Sequence, residues 1–155
     1  MPEVTLRPFR DGEEAPPTPS RFSDWGADRV APVRFVGELA VVADGVVVGD
    51  VAWHEEWYGP TAGSLALNIG IDLVLEARGR GIGTRAQRLL VEHLFATTTV
   101  TRIEASTDVE NLAEQRALER AGFTREGVLR GAQERADGRH DLVLYAVLRG
   151  DLPRA

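Results

Sequence analysis

The sequence predicts a mixed α/β domain, and three observations carry that reading. β-Branched or alternating runs fill the first half, at Val4 to Phe9, Val33 to Ala43, Val46 to His54 and Leu65 to Leu75. From Ile82 the apolar period lengthens, with Ile82, Ala86, Leu89, Leu90, His93 and Leu94 on one helical face. A short strand, a second helix and two strands follow, giving the order β, irregular, βββ, α, β, α, ββ. Neither a repeat nor a linker interrupts the 155 residues, so one domain spanning residues 1–155 is expected.

Each element has a local cause. Asp11 to Gly26 holds Pro16, Pro17 and Pro19 and few periodic apolar positions, which predicts loop with at most short helical turns. Asp44-Gly45 between two β-branched runs is a hairpin turn signal, because both residues tolerate the positive φ that such turns demand. Glu55 to Gly63 reads as loop. Arg102 to Ser106 is a short strand, and Asn111 opens a helix that runs through Ala121 and stops at Gly122. Thr124 to Gln133 and His140 to Leu148 are strands joined at Asp137-Gly138.

Composition removes several chemistries. With no cysteine there is no disulfide, thiolate ligand or cysteine nucleophile. His54, His93 and His140 form no pair at metal-ligand spacing, so no metal is expected. All 18 basic residues are arginine, which excludes Schiff-base lysine chemistry. An acidic chain without a basic run argues against nucleic acid as the main partner. No apolar stretch reaches membrane-spanning length and no signal peptide is evident, so a cytoplasmic location is expected by default. Residues 1–77 carry 13 acids and 5 arginines, and residues 78–155 carry 11 and 13. A basic half suits an anionic cofactor, and an acidic half suits a cationic acceptor.

The motif that carries most chemistry is Arg78-Gly79-Arg80-Gly81-Ile82-Gly83-Thr84, between a strand and a helix. Glycines there leave backbone N–H groups uncovered at the positive end of the helix, a ready seat for phosphate. A P-loop would need a lysine after the last glycine, and this chain has none. A dinucleotide fingerprint would open a βαβ unit near the chain start, whereas four strands precede Gly79 here.

The pattern Arg78-x-x-Gly81-x-Gly83 after a fourth strand resembles the acyl-CoA-binding motif of the GCN5-related N-acetyltransferase (GNAT) superfamily. The block Asn111 to Phe123, an asparagine and a helix ending in Gly-Phe, is similar to that superfamily's later motif. Glu126 to Arg130, Asp137-Gly138 and Asp141 to Tyr145 resemble the tail of its ribosomal-protein N-acetyltransferase branch. The resemblance implies a GNAT fold with a splayed central sheet and a reduced N-terminal helical region. It also implies acetyl-CoA (coenzyme A) as co-substrate, and acetyl transfer by direct attack of a primary amine on the thioester. The acceptor would be a small molecule or a peptide N-terminus; the alternative is a non-catalytic acyl-CoA-binding module. By position, Leu73, Val74 and Leu75 would pair with pantetheine. Gly79, Arg80, Gly81, Ile82, Gly83 and Thr84 would hold the pyrophosphate with Arg78, and Asn111 would contact the pantetheine arm. Oligomeric state stays open, a homodimer included.

The catalytic groups are less defined. The superfamily's usual tyrosine, seven after the asparagine, is Leu118 here, and the serine common three after it is Glu114. Candidate bases on the acceptor side are His54, Glu55 and Glu104, with Glu56 as a carboxylate that steers a cationic amine; Glu114 completes the candidate set. Trp25, Trp53, Trp57 and Tyr58 are candidate acceptor-pocket aromatics, Trp53 being equally suited to core packing. His93 is expected in the core, and Tyr145 is expected to be structural.

Overall fold

A computed structural model describes residues 1–27, 29–30 and 33–152. The strands are β1 (Val4–Arg7), β2 (Gly37–Ala43), β3 (Val46–Trp57), β4 (Leu65–Leu73), β5 (Arg102–Asp108), β6 (Thr124–Arg135) and β7 (Gly138–Leu148). The helices are α1 (Ile82–Thr97) and α2 (Leu112–Arg120). One open mixed sheet runs in the order β1-β2-β3-β4-β5-β7-β6. Every neighbouring pair is antiparallel except β4 and β5, which the α1 crossover makes parallel.

Strand alternation divides the sheet into two unlike faces. Leu39 and Val41 of β2, Val51 of β3, Leu67 and Ile69 of β4, Ile103 and Ala105 of β5, and Val143, Tyr145 and Val147 of β7 form the buried face. Onto it α1 lays Ile82, Ala86, Leu90, Val91, Leu94 and Phe95, and α2 contributes Leu118. Arg149 holds the end of that crossover, donating to the carbonyls of Phe95 at 2.7 Å and Thr98 at 2.9 Å. The alternate positions, among them Glu38, Asp50, His54, Asn68, Asp72 and Glu104, fall on the helix-free face. Between β1 and β2 the described residues make only one helical turn, a 3-10 turn at Arg21–Ser23, so this polar face carries little cover. Of the expected irregular segment Asp11 to Ala31, Asp28 and Ala31 lie outside the described residues.

The hairpin turn has Asp44 at φ +48° and Gly45 at φ +82°, the two positive values its sequence predicts. Of the boundaries that differ from the sequence expectation, three bear on the site. The second strand begins at Gly37, because Val33, Phe35 and Val36 are exposed, and of these three residues' backbone only the Val36 N–H bonds to β3, at the Trp53 carbonyl. The third strand runs on to Trp57, since Glu55, Glu56 and Trp57 pair with Leu67, Ala66 and Leu65 of β4. The fourth strand stops at Leu73 and gives way to a 3-10 turn, Leu75–Ala77. His93, expected in the core, is exposed on α1 and meets the Trp53 ring edge-on at 6.4 Å. Tyr145 is fully buried and donates to Glu119 at 2.9 Å, a packing role.

Candidate active site

The parting of β4 from β5 organises the site. The two strands pair only at Leu67↔Ile103 and Asn68↔Glu104, and beyond Asn68 they separate. The Val74 N–H bonds the Val48 carbonyl at 2.8 Å, which makes Val74 a hydrogen-bonded partner of β3. Antiparallel alternation then turns the backbone groups of Ile69, Ile71 and Leu73 away from β3, into the opening. That is a wedge lined on one side by free strand edge, able to accept an extended chain as an added strand.

At the wide end of the wedge lies the glycine turn. Gly79 and Gly81 stand at φ +71° and +78°, conformations costly for any residue with a Cβ. Gly81 is the N-cap of α1, so the amides of Ile82, Gly83 and Thr84 begin the helix without intrahelical partners. Ile82 is itself buried, so that residue offers backbone while its side chain anchors the helix in the core. Arg80 is exposed beside this turn. Arg78 is engaged elsewhere, donating to the carbonyls of Leu73 at 3.0 Å and Pro19 at 2.9 Å.

The expected backbone pairing at Leu73, Val74 and Leu75 is shifted by these bonds. Val74 spends its N–H on Val48 and its carbonyl on Ala77, and the Leu75 carbonyl accepts from the Arg78 N–H. The 3-10 turn thus uses the groups an extended strand would have offered. Open edge remains at Ile69, Ile71 and the Leu73 N–H, nearer the strand centre.

Asn111 caps α2, its Oδ1 accepting from the Glu114 N–H at 3.3 Å while its Nδ2 donates to Thr107 at 3.1 Å. Glu114 sits one turn into α2, and its carboxyl accepts from Nε2 of Gln87 on α1. Burial, opposed by the hydrogen bond from Gln87 and reinforced by the charge of Asp72, pushes the Glu114 carboxyl up to about 7. Leu118 is fully buried, so the position where the superfamily often has tyrosine points into the core.

On the helix-free face, Glu38, Asp50 and Asp72 line a groove of about 160 Å³ with Phe35, Ala52 and Gly70. Asp50 and Asp72 are direct cross-strand partners. Burial and then the charges of Asp72 and Glu38 push Asp50 up to about 7. Asp72 is also raised by burial, with Arg78 opposing. The sequence reading missed Glu38 and Asp50 because they are twelve positions apart and only the register joins them. An available signal was the lone carboxylate inside the β-branched run around Val48 to Val51.

The other expected residues divide between this face and its surroundings. His54 lies on the groove face, its Nε2 3.1 Å from a Glu56 oxygen and its Nδ1 buried without a partner. Glu104 is almost wholly buried and spends its oxygens on Tyr58, Asn68 and Arg102, an arrangement that ties β5 to β4 and to the segment just after β3. Glu55 accepts from the Trp57 indole N–H at 3.1 Å, and both sit at the outer end of β3. Tyr58 lines a second groove with Leu65, Arg102 and Leu148, away from the acidic one. Trp53 packs on the helix side, with its ring against Gly37, where a Cβ would fall 2.0 Å from the ring. Trp25 is part-exposed in the irregular segment. Among the described residues, no cluster of three or more metal-ligating side chains occurs, and no helix is long and apolar enough to cross a membrane.

A family model described as an acetyltransferase (GNAT) domain matches residues 2–124, which takes in the splayed strand, the glycine turn and both helices. The chain belongs to the GNAT acetyltransferase domain family. Among curated GNAT relatives, it is 30% identical over 131 residues to the aminoglycoside N(6')-acetyltransferase type 1 of Klebsiella pneumoniae, covering 76% of this chain and 62% of that protein. It is 44% identical over 62 residues to "Probable N-acetyltransferase YjcK" of Bacillus subtilis, covering 40% of this chain and 34% of that protein. The chain therefore spans about a third to three-fifths of the length of these relatives. Among solved GNAT structures, Mycobacterium smegmatis RimJ in complex with CoA-disulfide aligns with a TM-score of 0.68 at 26% identity, covering 76% of this chain and 55% of that one.

Proposed function

We propose that this protein is an acetyl-CoA-dependent N-acetyltransferase whose acceptor is a cationic primary amine. The observation that carries the reading is the wedge: free β4 edge lies between an amide-rich helix N-terminus and an acidic groove. A CoA pyrophosphate would take the amides of Gly79 to Thr84, with Arg80 supplying charge. Pantetheine would run beside Ile69, Ile71 and Leu73 as an added strand. The RimJ complex, a GNAT structure holding a CoA species, supports that cofactor assignment.

The acceptor side follows from charge. An ammonium entering between Glu38, Asp50 and Asp72 relieves the crowding that makes the Asp50 carboxyl reluctant to ionise. Attack needs the free amine, and a carboxyl raised above its ordinary range is a better proton acceptor than a free one. Asp72 lies on the strand that also carries the free edge, which suits it to that step. A backbone N–H of Ile71 or Leu73 would stabilise the tetrahedral oxyanion. The aminoglycoside acetyltransferase relatives, named for a polycationic amine substrate, support an acceptor of this charge.

Two measurements test the reading. Calorimetry with acetyl-CoA should show saturable binding to one site per chain. Thiol release should then appear with polyamines or aminoglycosides and be weaker with neutral or acidic amines. Absence of binding defeats the whole assignment; binding without thiol release across such a panel replaces it with an acyl-CoA-binding module.

A further inference from the structure

Gly70 lies inside β4, the central strand of the sheet, where neither its backbone nor its neighbours require a glycine. A glycine within a strand weakens it, and the usual reasons for one are a bulge, a left-handed torsion, the close approach of another part of the protein, or a ligand. The β3–β4 register runs without a shift from Gly49↔Leu73 to Trp57↔Leu65, so Gly70 is not at a bulge. Its φ is not positive. A Cβ built on it would meet nothing within 4 Å. The other strand glycines each have a local reason. A Cβ would fall 2.0 Å from the Trp53 ring at Gly37 and 1.9 Å from the Asp72 carbonyl at Gly49, while Gly127, Gly131 and Gly138 have positive φ. For Gly70 the ligand is the reason that is left.

The space it leaves has a definite shape. On the helix-free face, the rung Ala52–Gly70 carries almost no side chain, while the next rung toward the end of β4 carries Asp50 and Asp72 and the rung behind carries His54 and Asn68. Glu38, paired with Ala52 from β2, and Phe35 close the flank. This gap belongs to the groove of about 160 Å³, close to the roughly 150 Å³ of a protein cavity that holds one benzene molecule. It has room for one six-membered ring, and Phe35 gives such a ring an aromatic wall to lie against. The carboxyls stand at one end of that room, on the side of the free strand edge.

Resting on the transferase reading above, we propose that Gly70, with Ala52 opposite it, sets the size of the acceptor: the amine is borne by a six-membered ring that fills the space where β4 omits a side chain, with its ammonium at Asp50 and Asp72. The ring covers the bare rung and lies beside Phe35, while the charged end reaches the carboxyls. An unbranched amine of the same charge reaches the carboxyls too but leaves the floor of the groove to water, so it gains less from binding.

Gly70→Val fills the gap with a side chain that suits a strand, and Gly70→Ala fills less of it. The probes are cyclohexylmethylamine and hexylamine, primary amines of one charge that differ in the ring. Wild-type protein should show the higher kcat/KM with the ring amine. In G70V the ratio of ring to unbranched kcat/KM should fall roughly 10- to 200-fold, with a smaller fall in G70A. Because the fold does not need the glycine, the melting temperature of G70A should rise by about 1–5 °C. Acetyl-CoA affinity by calorimetry should match wild type in both variants, since the cofactor edge of β4 is backbone. A ratio in G70V within about threefold of wild type, or a wild-type preference for hexylamine, overturns the proposal and leaves the transferase reading intact. So does a lowered melting temperature in both variants, which would make the glycine a requirement of the fold. Wild-type protein that releases no thiol with these amines or with polyamines defeats both.

Discussion

Asp50→Asn should stabilise the protein, and by an amount that depends on pH in a definite direction. Asp50 faces Asp72 across the β3–β4 ladder, with Glu38 beside it, and burial with those charges lifts its carboxyl from 3.8 to about 7. A carboxyl harder to ionise in the folded state than in the unfolded chain lowers stability as pH rises. Below about pH 4 both states hold the proton and nothing is lost. Between there and pH 7 the native state loses about 1.36 kcal/mol per pH unit, so the penalty reaches about 4 kcal/mol above pH 7 as an upper bound. An asparagine is neutral at every pH and nearly the same shape, so it recovers part of this, about 1–2 kcal/mol once solvent screening of the half-buried carboxyl and an imperfect hydrogen-bond fit are allowed for. For a chain of this size that is a rise of roughly 2–8 °C in melting temperature.

Thermal melts of both proteins at pH 4, 6 and 8 test this reasoning. The difference should be small at pH 4, intermediate at pH 6 and full at pH 8. Turnover of a cationic amine should move the other way, falling by at least about tenfold, because the charge that destabilises the native state is the charge that holds the acceptor. A melting difference of under 1 °C at pH 8, or a gain equally large at pH 4, refutes the account of Asp50.

Gly81→Glu should abolish acetyl-CoA binding in calorimetry while the protein stays folded: φ +78° costs a Cβ-bearing residue about 1–2 kcal/mol, and a carboxylate enters the anion seat. Asp108→Asn should cost roughly 3–5 kcal/mol in denaturant unfolding, since Arg135 is buried against Asp108 and the change leaves its charge uncompensated. Leu118→Ala should cost about 2–5 kcal/mol by the same measurement, with acetyl-CoA affinity unchanged if the side chain serves only the core. Asn111→Ala should cost about 1 kcal/mol of stability through the lost cap and should also weaken cofactor binding by calorimetry.

What the sequence revealed follows a physical division. Features set by neighbours along the chain were legible: the Asp44-Gly45 turn, the glycines that open α1, the Asn111 cap of α2 and the helical period from Ile82. Features set by partners across the sheet were not. Glu55 to Trp57 has the composition of a loop and is a strand because β4 lies beside it. Val74 looks like the end of a strand, yet its N–H belongs to Val48 and its carbonyl to a 3-10 turn, which moves the free edge back to Ile69–Leu73. The acidic groove depends on register alone, because Glu38, Asp50 and Asp72 meet through two strand pairings with no sequence spacing of their own.

That same register explains why one short segment of β4 can serve both halves of the proposed reaction. Residues on a strand alternate, so Ile69, Ile71 and Leu73 put their side chains into the core and their backbone groups toward the wedge. Gly70 and Asp72, between them, spend backbone on β3 and face the groove. Gly70 brings no side chain that would fill the groove, and Asp72 brings the carboxyl nearest the free edge. From there Asp72 bears on Asp50 within the groove and on Glu114 at the helix side. Removing its charge should therefore change two titrations at once, lowering those of Asp50 and Glu114 together, although the two groups lie on opposite sides of the sheet. Two independent carboxyls would not move in concert. Concerted movement in Asp72→Asn, read from the NMR titrations of both groups, is the signature of one charge placed between acceptor and thioester.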